Sequence, residues 1–168
     1  MATTVRLPVT LLTPQESANQ GNAYYTVSGL TAYDAGHWEL KNGVSGNIFG
    51  LVHVPHNLAA TPNASLFLTC AANATTGNTV VQVKEQNIAA GASFNPASLT
   101  AETAQTITVP ATAYQRFDVH FPTSGSLGVT PVADDVLLVQ VFRDGSNASD
   151  TLAVALWVVE AVLQVDIA

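Results

Sequence analysis

Hydrophobic and polar residues alternate along most of this chain with the period of two that is typical of β-strands. The segment QRFDVHF is the clearest example, because Phe117, Val119 and Phe121 fall on one side and polar residues fall on the other. Such a strand buries one face and leaves the other face in water. A helical period is nearly absent, and we find no internal repeat. The pattern therefore predicts an all-β protein.

Eight segments with this pattern form the predicted main body. They cover residues 37–42, 47–54, 64–71, 79–86, 103–109, 115–121, 135–143 and 152–166. The breaks KNGVSG at 41–46 and NATTGN at 73–78 have the composition of hairpin turns. Eight strands at this spacing predict an antiparallel two-sheet sandwich, most simply a jelly roll.

The first 36 residues follow a different pattern. Val5, Leu7, Val9 and Leu11 alternate with other residues, but the proline between them lacks an N–H group and is typical of an edge strand. A polar stretch, PQESANQGN, follows. We predict either an N-terminal arm, residues 1–36, that adds to a neighbouring subunit's sheet beside a jelly-roll domain of residues 37–168, or an ordinary first strand of the same sandwich. The opening residues are too polar and too broken by proline to predict a signal peptide.

The last predicted strand is apolar on both faces for part of its length. Every second residue from Ala153 to Ile167 is apolar, which predicts that these odd-numbered positions face the core. Val154, Leu156 and Val158 on the other face are also apolar, before that face turns polar at Glu160. Because a strand that is apolar on both faces is covered on both faces, we predict that these three residues form the subunit interface of a homotrimer. The alternative cover is the N-terminal segment folding back.

The polar segment RDGSNASD joins the last two strands. Asp144 and Gly145 begin a turn, while Arg143 and Asp150 stand at its two ends, where an ion pair between strands is natural. A calcium loop would need ligands at alternate positions and a closing glutamate. This segment has Ala148 at its relevant fifth position and no closing acid. We therefore predict a structural turn here, without metal or catalysis.

Composition and charge argue against several function classes. Hydrophobic residues make up 48% of the chain and charged residues 10%, and the formal net charge is −7. The five basic residues are scattered, so no patch is present that would neutralise nucleic-acid phosphates. No apolar run reaches the roughly 18 residues that a membrane helix needs. A chain this apolar with so few charges is typical of a protein that buries surface in an oligomer.

The sequence predicts no catalytic, metal or cofactor site. His53 and His56 are three residues apart, so on a strand they would point to opposite faces. Asp134 and Asp135 precede a strand, and the sequence shows no partner acid with which they would form a glycosidase site. Cys70 alternates with leucines and is predicted to be a buried apolar thiol. Neither a phosphate-binding loop nor a nucleophile elbow is present.

The ending VLLVQVFRDGSNASDTLAVALWVVEAVLQV resembles the C-terminal hairpin of jelly-roll structural proteins of tailed bacteriophages. In these proteins an R-D-G-[SD]-x-A-S-D-T turn joins two long strands. The segment VPATAYQRFDVHF also resembles the preceding strands of these proteins, and the resemblance covers roughly residues 37 to 168. The chain departs from the DTLAGDA form of the motif at Val154 and Ala155.

This resemblance implies a non-enzymatic virion protein without a cofactor. The leading hypothesis is a capsid decoration (cement) protein that is made in the host cytoplasm. As a homotrimer it would bind the major capsid protein on the outer capsid surface and stabilise the shell. The residues Val5, Leu7, Val9 and Leu11 would then anchor it to the capsid.

The alternative function is a receptor- or glycan-binding domain of a head fibre or tail fibre. Such a domain needs exposed aromatic side chains. The candidates are Tyr24, Tyr25, Tyr33, Trp38 and Tyr114, although Trp38 alternates with Leu40 and is expected in the core.

Overall fold

Two antiparallel sheets make up the computed structural model, which describes residues 3–12, 23–27, 36–94 and 98–168. The strands in these ranges are β1 (Thr3–Pro8), β2 (Thr10–Leu12), β3 (Ala23–Val27), β4 (Gly36–Leu40), β5 (Ser45–His53), β6 (Ala64–Ala72), β7 (Asn78–Ile88), β8 (Thr100–Ala101), β9 (Gln105–Thr108), β10 (Phe117–Phe121), β11 (Val136–Asp144) and β12 (Leu156–Ile167). Across these residues we find no helix long and apolar enough to span a bilayer. The predicted all-β class is confirmed.

The strand order is that of a jelly roll. Sheet A has the order β10-β6-β12-β4-β3, and sheet B has the order β2-β5-β11-β7-β8. In addition, β1 pairs with β12 in sheet A and β9 pairs with β7 in sheet B. The last two strands thus lie between earlier ones, β12 between β4 and β6 and β11 between β5 and β7, which is the wrapped pairing of a jelly roll. Each of the eight predicted strands overlaps an observed one, and the predicted sandwich is confirmed.

The core lies between the two sheets and is built from alternate residues of each long strand. The fully buried members from β6 and β11 are Leu66, Leu68, Cys70, Leu137, Val139 and Val141. The prediction for Cys70 is confirmed. Burial, with a smaller contribution from Asp118, raises the pKa of its thiol to about 12. Cys70 is therefore an inert part of the core at neutral pH.

A β-bulge in β12 reverses which residues of that strand face the core. The pairing of β12 with β6 shifts register between Val158 and Glu160. The inward-facing residues are Leu156 and Val158 before the bulge and Ala161, Leu163 and Val165 after it, and each is at most 1% exposed. One extra residue moves every later side chain to the opposite face. The strand looks apolar on both faces because its inward positions change from even to odd numbers.

The bulge overturns the predicted subunit interface. Leu156 and Val158 are 0% exposed in a single chain, so neither side chain is available to another subunit. Val154 is partly buried and packs against the same core. Conversely, Trp157 and Val159 were expected in the core, yet Trp157 is partly exposed and Val159 is 41% exposed. The homotrimer itself stays a prediction, without support from this segment.

Residues 3–12 belong to both sheets of the sandwich. β1 pairs with β12 from Thr3 to Pro8, and β2 pairs with β5. Val9 lies between them, crosses from one sheet to the other and is only 6% exposed. Val5, Leu7 and Leu11 pack partly buried against the core. In the single chain this segment is part of the sandwich, which agrees with the interpretation as an ordinary first strand. Its capsid-anchoring role stays a prediction. The polar tether at 13–22 lies outside the described residues.

We expect Val9→Ala to lower the free energy of unfolding by about 2 kcal/mol, because it removes buried methyl groups from the core. Thr10→Ala is the matched control, since its side chain is exposed in the next position. It should change stability by less than about 0.5 kcal/mol. Urea unfolding measures both variants. A loss of stability for Val9→Ala no larger than that for Thr10→Ala would contradict the core role assigned to Val9.

Candidate functional site

The outer face of sheet A carries a cleft of about 230 Å³. It is lined by His37, Thr69, Cys70, Ala71, Tyr114, Arg116, Trp157 and Val159. Trp157 points away from the core because its neighbours Leu156 and Val158 point into it. Most of the lining is apolar, and it comes from β4, β6, β12 and the loop before β10.

Three rings form one side of this cleft. Trp157 stacks on His37 with 4.0 Å between ring centroids and 25° between planes. Tyr114 lies beside Trp157 at 5.2 Å, tilted by 42°. His37 is 2% exposed and its Nε2 lies 3.3 Å from Glu39 Oε1, whereas Tyr114 is 42% exposed. The buried histidine therefore fixes the orientation of an aromatic surface that solvent can reach.

The loop before β10 presents Tyr114 in a costly backbone conformation. Its φ angle is 62°, in the left-handed region that bulky residues rarely adopt. The Tyr114 N–H donates to the carbonyl oxygen of Ala72 at 2.8 Å, which ties the loop to the end of β6. Backbone strain of this kind is concentrated at functional positions.

Polar groups lie beside the aromatic rings. Arg116 donates to both carboxylate oxygens of Asp118, from Nε at 2.9 Å and from Nη2 at 2.8 Å. Thr69 Oγ1 donates to Asp118 Oδ1 at 3.2 Å. The hydrogen bond from Arg116 lowers the pKa of Asp118, so this carboxylate stays ionised at neutral pH. An apolar surface flanked by a few fixed polar groups is the usual composition of a small-ligand site.

The predicted turn is organised by a buried ion pair. Arg143 Nε and Nη2 donate to the two carboxylate oxygens of Asp150 at 3.0 and 2.8 Å. Both side chains are 0% exposed. The other hydrogen bonds of the guanidinium go to the carbonyl oxygens of Leu40, Leu152 and Val154 at 2.8 to 2.9 Å. The predicted pairing is thus present.

The remaining turn residues also stabilise the turn. Asp144 accepts hydrogen bonds from the side chains of Ser45, Ser146 and Asn147. A Cβ atom on Gly145 would lie 2.5 Å from the Val44 carbonyl oxygen, so only glycine fits there. Arg143, Asp144, Gly145 and Asp150 therefore each have a structural role in the turn, and none of them lines the cleft on sheet A.

The histidines considered as metal ligands do not converge. His53 and His56 are both exposed, and His56 Nδ1 lies 2.7 Å from Asp134 Oδ2. The hydrogen bond with Asp134 raises the pKa of His56. Among the described residues, no group of three or more His, Cys, Asp and Glu side chains is arranged to hold a metal ion.

A buried acid escaped the sequence analysis. Glu85 is 0% exposed and pairs with Val139 across the sheet, so it points into the sandwich. Its carboxyl group lies beside Glu102 and the backbone of Gly128 and Val129. Burial, and then the nearby Glu102, raise the pKa of Glu85 to about 9. Alternation could have found it, because Glu85 continues the inward series of Val81 and Val83.

The candidate aromatic residues divide between the core and the cleft. Tyr114 lines the cleft, and Trp38 is 8% exposed in the core, as expected. The side chains of Tyr24 and Tyr25, and the whole of Tyr33, lie outside the described parts of the chain. Trp157 is not among those candidates because alternation from Ala153 predicts it in the core.

The comparisons with known proteins add a likeness of architecture. No protein-family description matches the chain, and no curated protein matches it. The carbohydrate-binding module TmCBM61, solved with β-1,4-galactotriose, has a TM-score of 0.46 and 6% identity over 93% of this chain and 87% of its own. The family 22 carbohydrate-binding module of Clostridium thermocellum Xyn10B has a TM-score of 0.43 and 16% identity over 92% and 84%.

A phage protein is also similar in this comparison. It is tailspike protein 4 of bacteriophage CBA120, in its enzymatically active domain, with a TM-score of 0.37 and 9% identity. This chain is covered over 96% of its length but spans only 19% of that protein. Likenesses at these values carry no argument about a ligand.

We expect Arg143→Leu to lower the free energy of unfolding by roughly 3–5 kcal/mol, because it leaves the carboxylate of Asp150 buried without its partner. The control is Arg116→Leu, which removes an equally short bidentate pair with Asp118. That pair is 70% and 48% exposed, and exposed pairs contribute little to stability. Urea unfolding compares the two variants. Similar losses for both would contradict the structural role assigned to the buried pair.

We expect Glu85→Gln to stabilise the protein increasingly as the pH rises from 5 to 9. The carboxyl of Glu85 is held protonated in the folded state, whereas the unfolded chain releases that proton near its ordinary pKa of 4.5. The wild type therefore loses stability across this interval, by at most about 1.4 kcal/mol per pH unit. Glutamine cannot ionise and avoids the loss. Melting curves of both proteins at pH 5, 7 and 9 measure the difference, and a constant gap would refute the assignment.

Proposed function

We propose that this protein is a non-catalytic glycan-binding domain that holds a sugar ring in the cleft on sheet A. The observation that carries the proposal is the Trp157 and Tyr114 pair, two neighbouring rings on an outer sheet face. Sugar rings present C–H groups on their flat faces, and these groups pack favourably on the electron-rich face of an aromatic ring. The exposed pair of Arg116 and Asp118 supplies the donors and acceptors that hydroxyl groups need.

The chemistry of the cleft supports binding without reaction. The thiol of Cys70 is buried and stays protonated at neutral pH. The carboxylate of Asp118 is engaged by Arg116 in two hydrogen bonds. Glycoside hydrolysis requires two carboxyl groups that flank the bond to be broken, and no lining residue of this cleft within the described ranges is an acid.

The virion setting is a separate part of the proposal and rests on the sequence of the last hairpin. A glycan-binding domain suits a head fibre or tail fibre, where it would contact the host surface. Capsid decoration by a homotrimer is the second candidate, favoured by the same hairpin. That candidate requires an interface made by residues other than Leu156 and Val158, which the core already buries.

We expect Trp157→Ala to weaken glycan binding about 30-fold, equivalent to about 2 kcal/mol for the loss of a central aromatic contact. Wild type is first screened on a glycan array, and the strongest ligand is then titrated by calorimetry. Phe94→Ala is the matched control, since Phe94 is 60% exposed and is not one of the residues that line the cleft. The proposal fails if no glycan binds the wild type, or if Trp157→Ala binds as tightly as the control.

Intrinsic fluorescence gives a second readout for the same titration. The chain has two tryptophans, Trp38 in the core and Trp157 in the cleft. Ligand should change the emission of wild type but not that of Trp157→Phe, in which Trp38 is the remaining reporter. A ligand-induced change that persists in Trp157→Phe would place the sugar elsewhere.

A further inference from the structure

A second aromatic cluster lies on the same outer face of sheet A. Phe67 comes four residues before Ala71 on β6, and Ala71 pairs with Trp157, so Phe67 lies roughly 13 Å along the strand from the position of Trp157. Its ring stacks on His120 with 4.3 Å between centroids and 11° between planes. The guanidinium carbon of Arg6 lies 5.2 Å from the centroid of the same ring. Strands β1, β6 and β10 thus contribute one residue each to a stack of arginine, phenylalanine and histidine.

The stack holds Arg6 in a fixed orientation. Its Nε donates to the side-chain oxygen of Gln164 at 3.3 Å, and its guanidinium lies against Phe67. Arg6 is exposed, and among the described residues it makes no ion pair within 4.0 Å. In this it differs from Arg116 and Arg143, whose guanidinium groups each bind an aspartate. The terminal N–H groups of Arg6 therefore remain available to a ligand.

A guanidinium held in this way recognises a planar or tetrahedral anion. Its paired N–H groups match two oxygens of a carboxylate or sulfate, and fixing the group beforehand reduces the entropy lost on binding. We propose that Arg6, with Phe67 and Gln164 as its positioning residues, is an anion subsite for the carboxylate or sulfate of an acidic glycan. This inference rests on the proposed function, because a neighbouring sugar of the same chain would occupy the Trp157 cleft. The distance along β6 between Phe67 and the position of Trp157 is longer than one sugar ring, so the ligand is an oligosaccharide.

The net charge of −7 does not oppose such a contact strongly. Charges further away than about 8 Å are largely screened at physiological ionic strength. Asp118, whose charge acts on Arg6, is already paired with Arg116. The binding should weaken as salt is added, because Arg6 is exposed.

The test uses the N–H signals of side chains in the full chain. It has three arginines, Arg6, Arg116 and Arg143, so their Nε–H signals can be resolved by NMR near pH 6. The probes are sodium glucuronate, sodium sulfate and glucose, each titrated at constant ionic strength. We expect glucuronate or sulfate to shift the Arg6 and Gln164 side-chain signals saturably, with at least tenfold tighter apparent binding than glucose. The anion that binds more tightly shows whether the acidic group of the glycan is a carboxylate or a sulfate.

Two variants and a control separate specific binding from general charge effects. Arg6→Gln should abolish the anion-dependent shift at Gln164, and Arg6→Lys should weaken it because lysine lacks the paired N–H groups. The control is Lys84→Gln on sheet B, where Lys84 Nζ also lies 5.2 Å from an aromatic centroid, that of Phe142. This variant should bind anions as wild type does. The subsite would be overturned if anions shifted the Arg6 and Arg116 signals equally. It would also be overturned if Arg6→Gln and Lys84→Gln changed anion binding to the same extent.

The same spectra keep the two proposals apart. The indole N–H of Trp157 reports on the cleft, and that of Trp38 in the core serves as its reference. If sugars move the Trp157 signal while neither anion moves the Arg6 signal, the anion subsite is wrong and the glycan cleft stands. If neither these sugars nor the strongest ligand from the glycan array moves the Trp157 signal, the glycan cleft is wrong, and an acidic glycan is excluded with it.

Discussion

The position of the last strand depends on one buried ion pair, Arg143 with Asp150. Taking two charges out of water is costly, and the cost is offset only when nearly every hydrogen bond of both groups is made. Here Asp150 also accepts the N–H of Val80 at 2.9 Å, while Arg143 binds the carbonyl oxygens of Leu40 and Val154. The pair therefore joins β4, β7 and β11 to the segment that leads into β12. These contacts set the point at which β12 begins.

The beginning of β12 in turn determines what sheet A presents to solvent. Because Leu156 enters the core first, Trp157 must face outwards. The bulge between Val158 and Glu160 then reverses the phase, and Leu163 and Val165 enter the core further along. Without the bulge, the second half of the strand would bury its polar face. Bulges are frequent next to binding sites because they redirect side chains, and this one lies at the edge of the aromatic cleft.

Local pattern was sufficient for the strands, the sandwich, the buried Cys70 and the pairing of Arg143 with Asp150. Each of these depends on alternation or on turn residues that lie close together in sequence. The outward position of Trp157 depends on a change of register against β6, which alternation alone cannot reveal. The left-handed conformation of Tyr114 is held by the hydrogen bond that its N–H donates to the carbonyl oxygen of Ala72 on β6. Such features arise from long-range pairing and were accessible only from the structure.

The two clusters on sheet A share a property that bears on how a ligand would bind. Their side chains stand on strands, and a neighbouring ring fixes each: His37 behind Trp157, and Phe67 beneath Arg6. Binding then orders few side chains, which lowers its entropic cost. A shallow sheet face still buries little of any ligand, so the affinity of one site should be modest. Several copies on one assembly would bind a multivalent ligand more tightly than one copy does. An oligomer would therefore strengthen binding, whichever surface forms its interface.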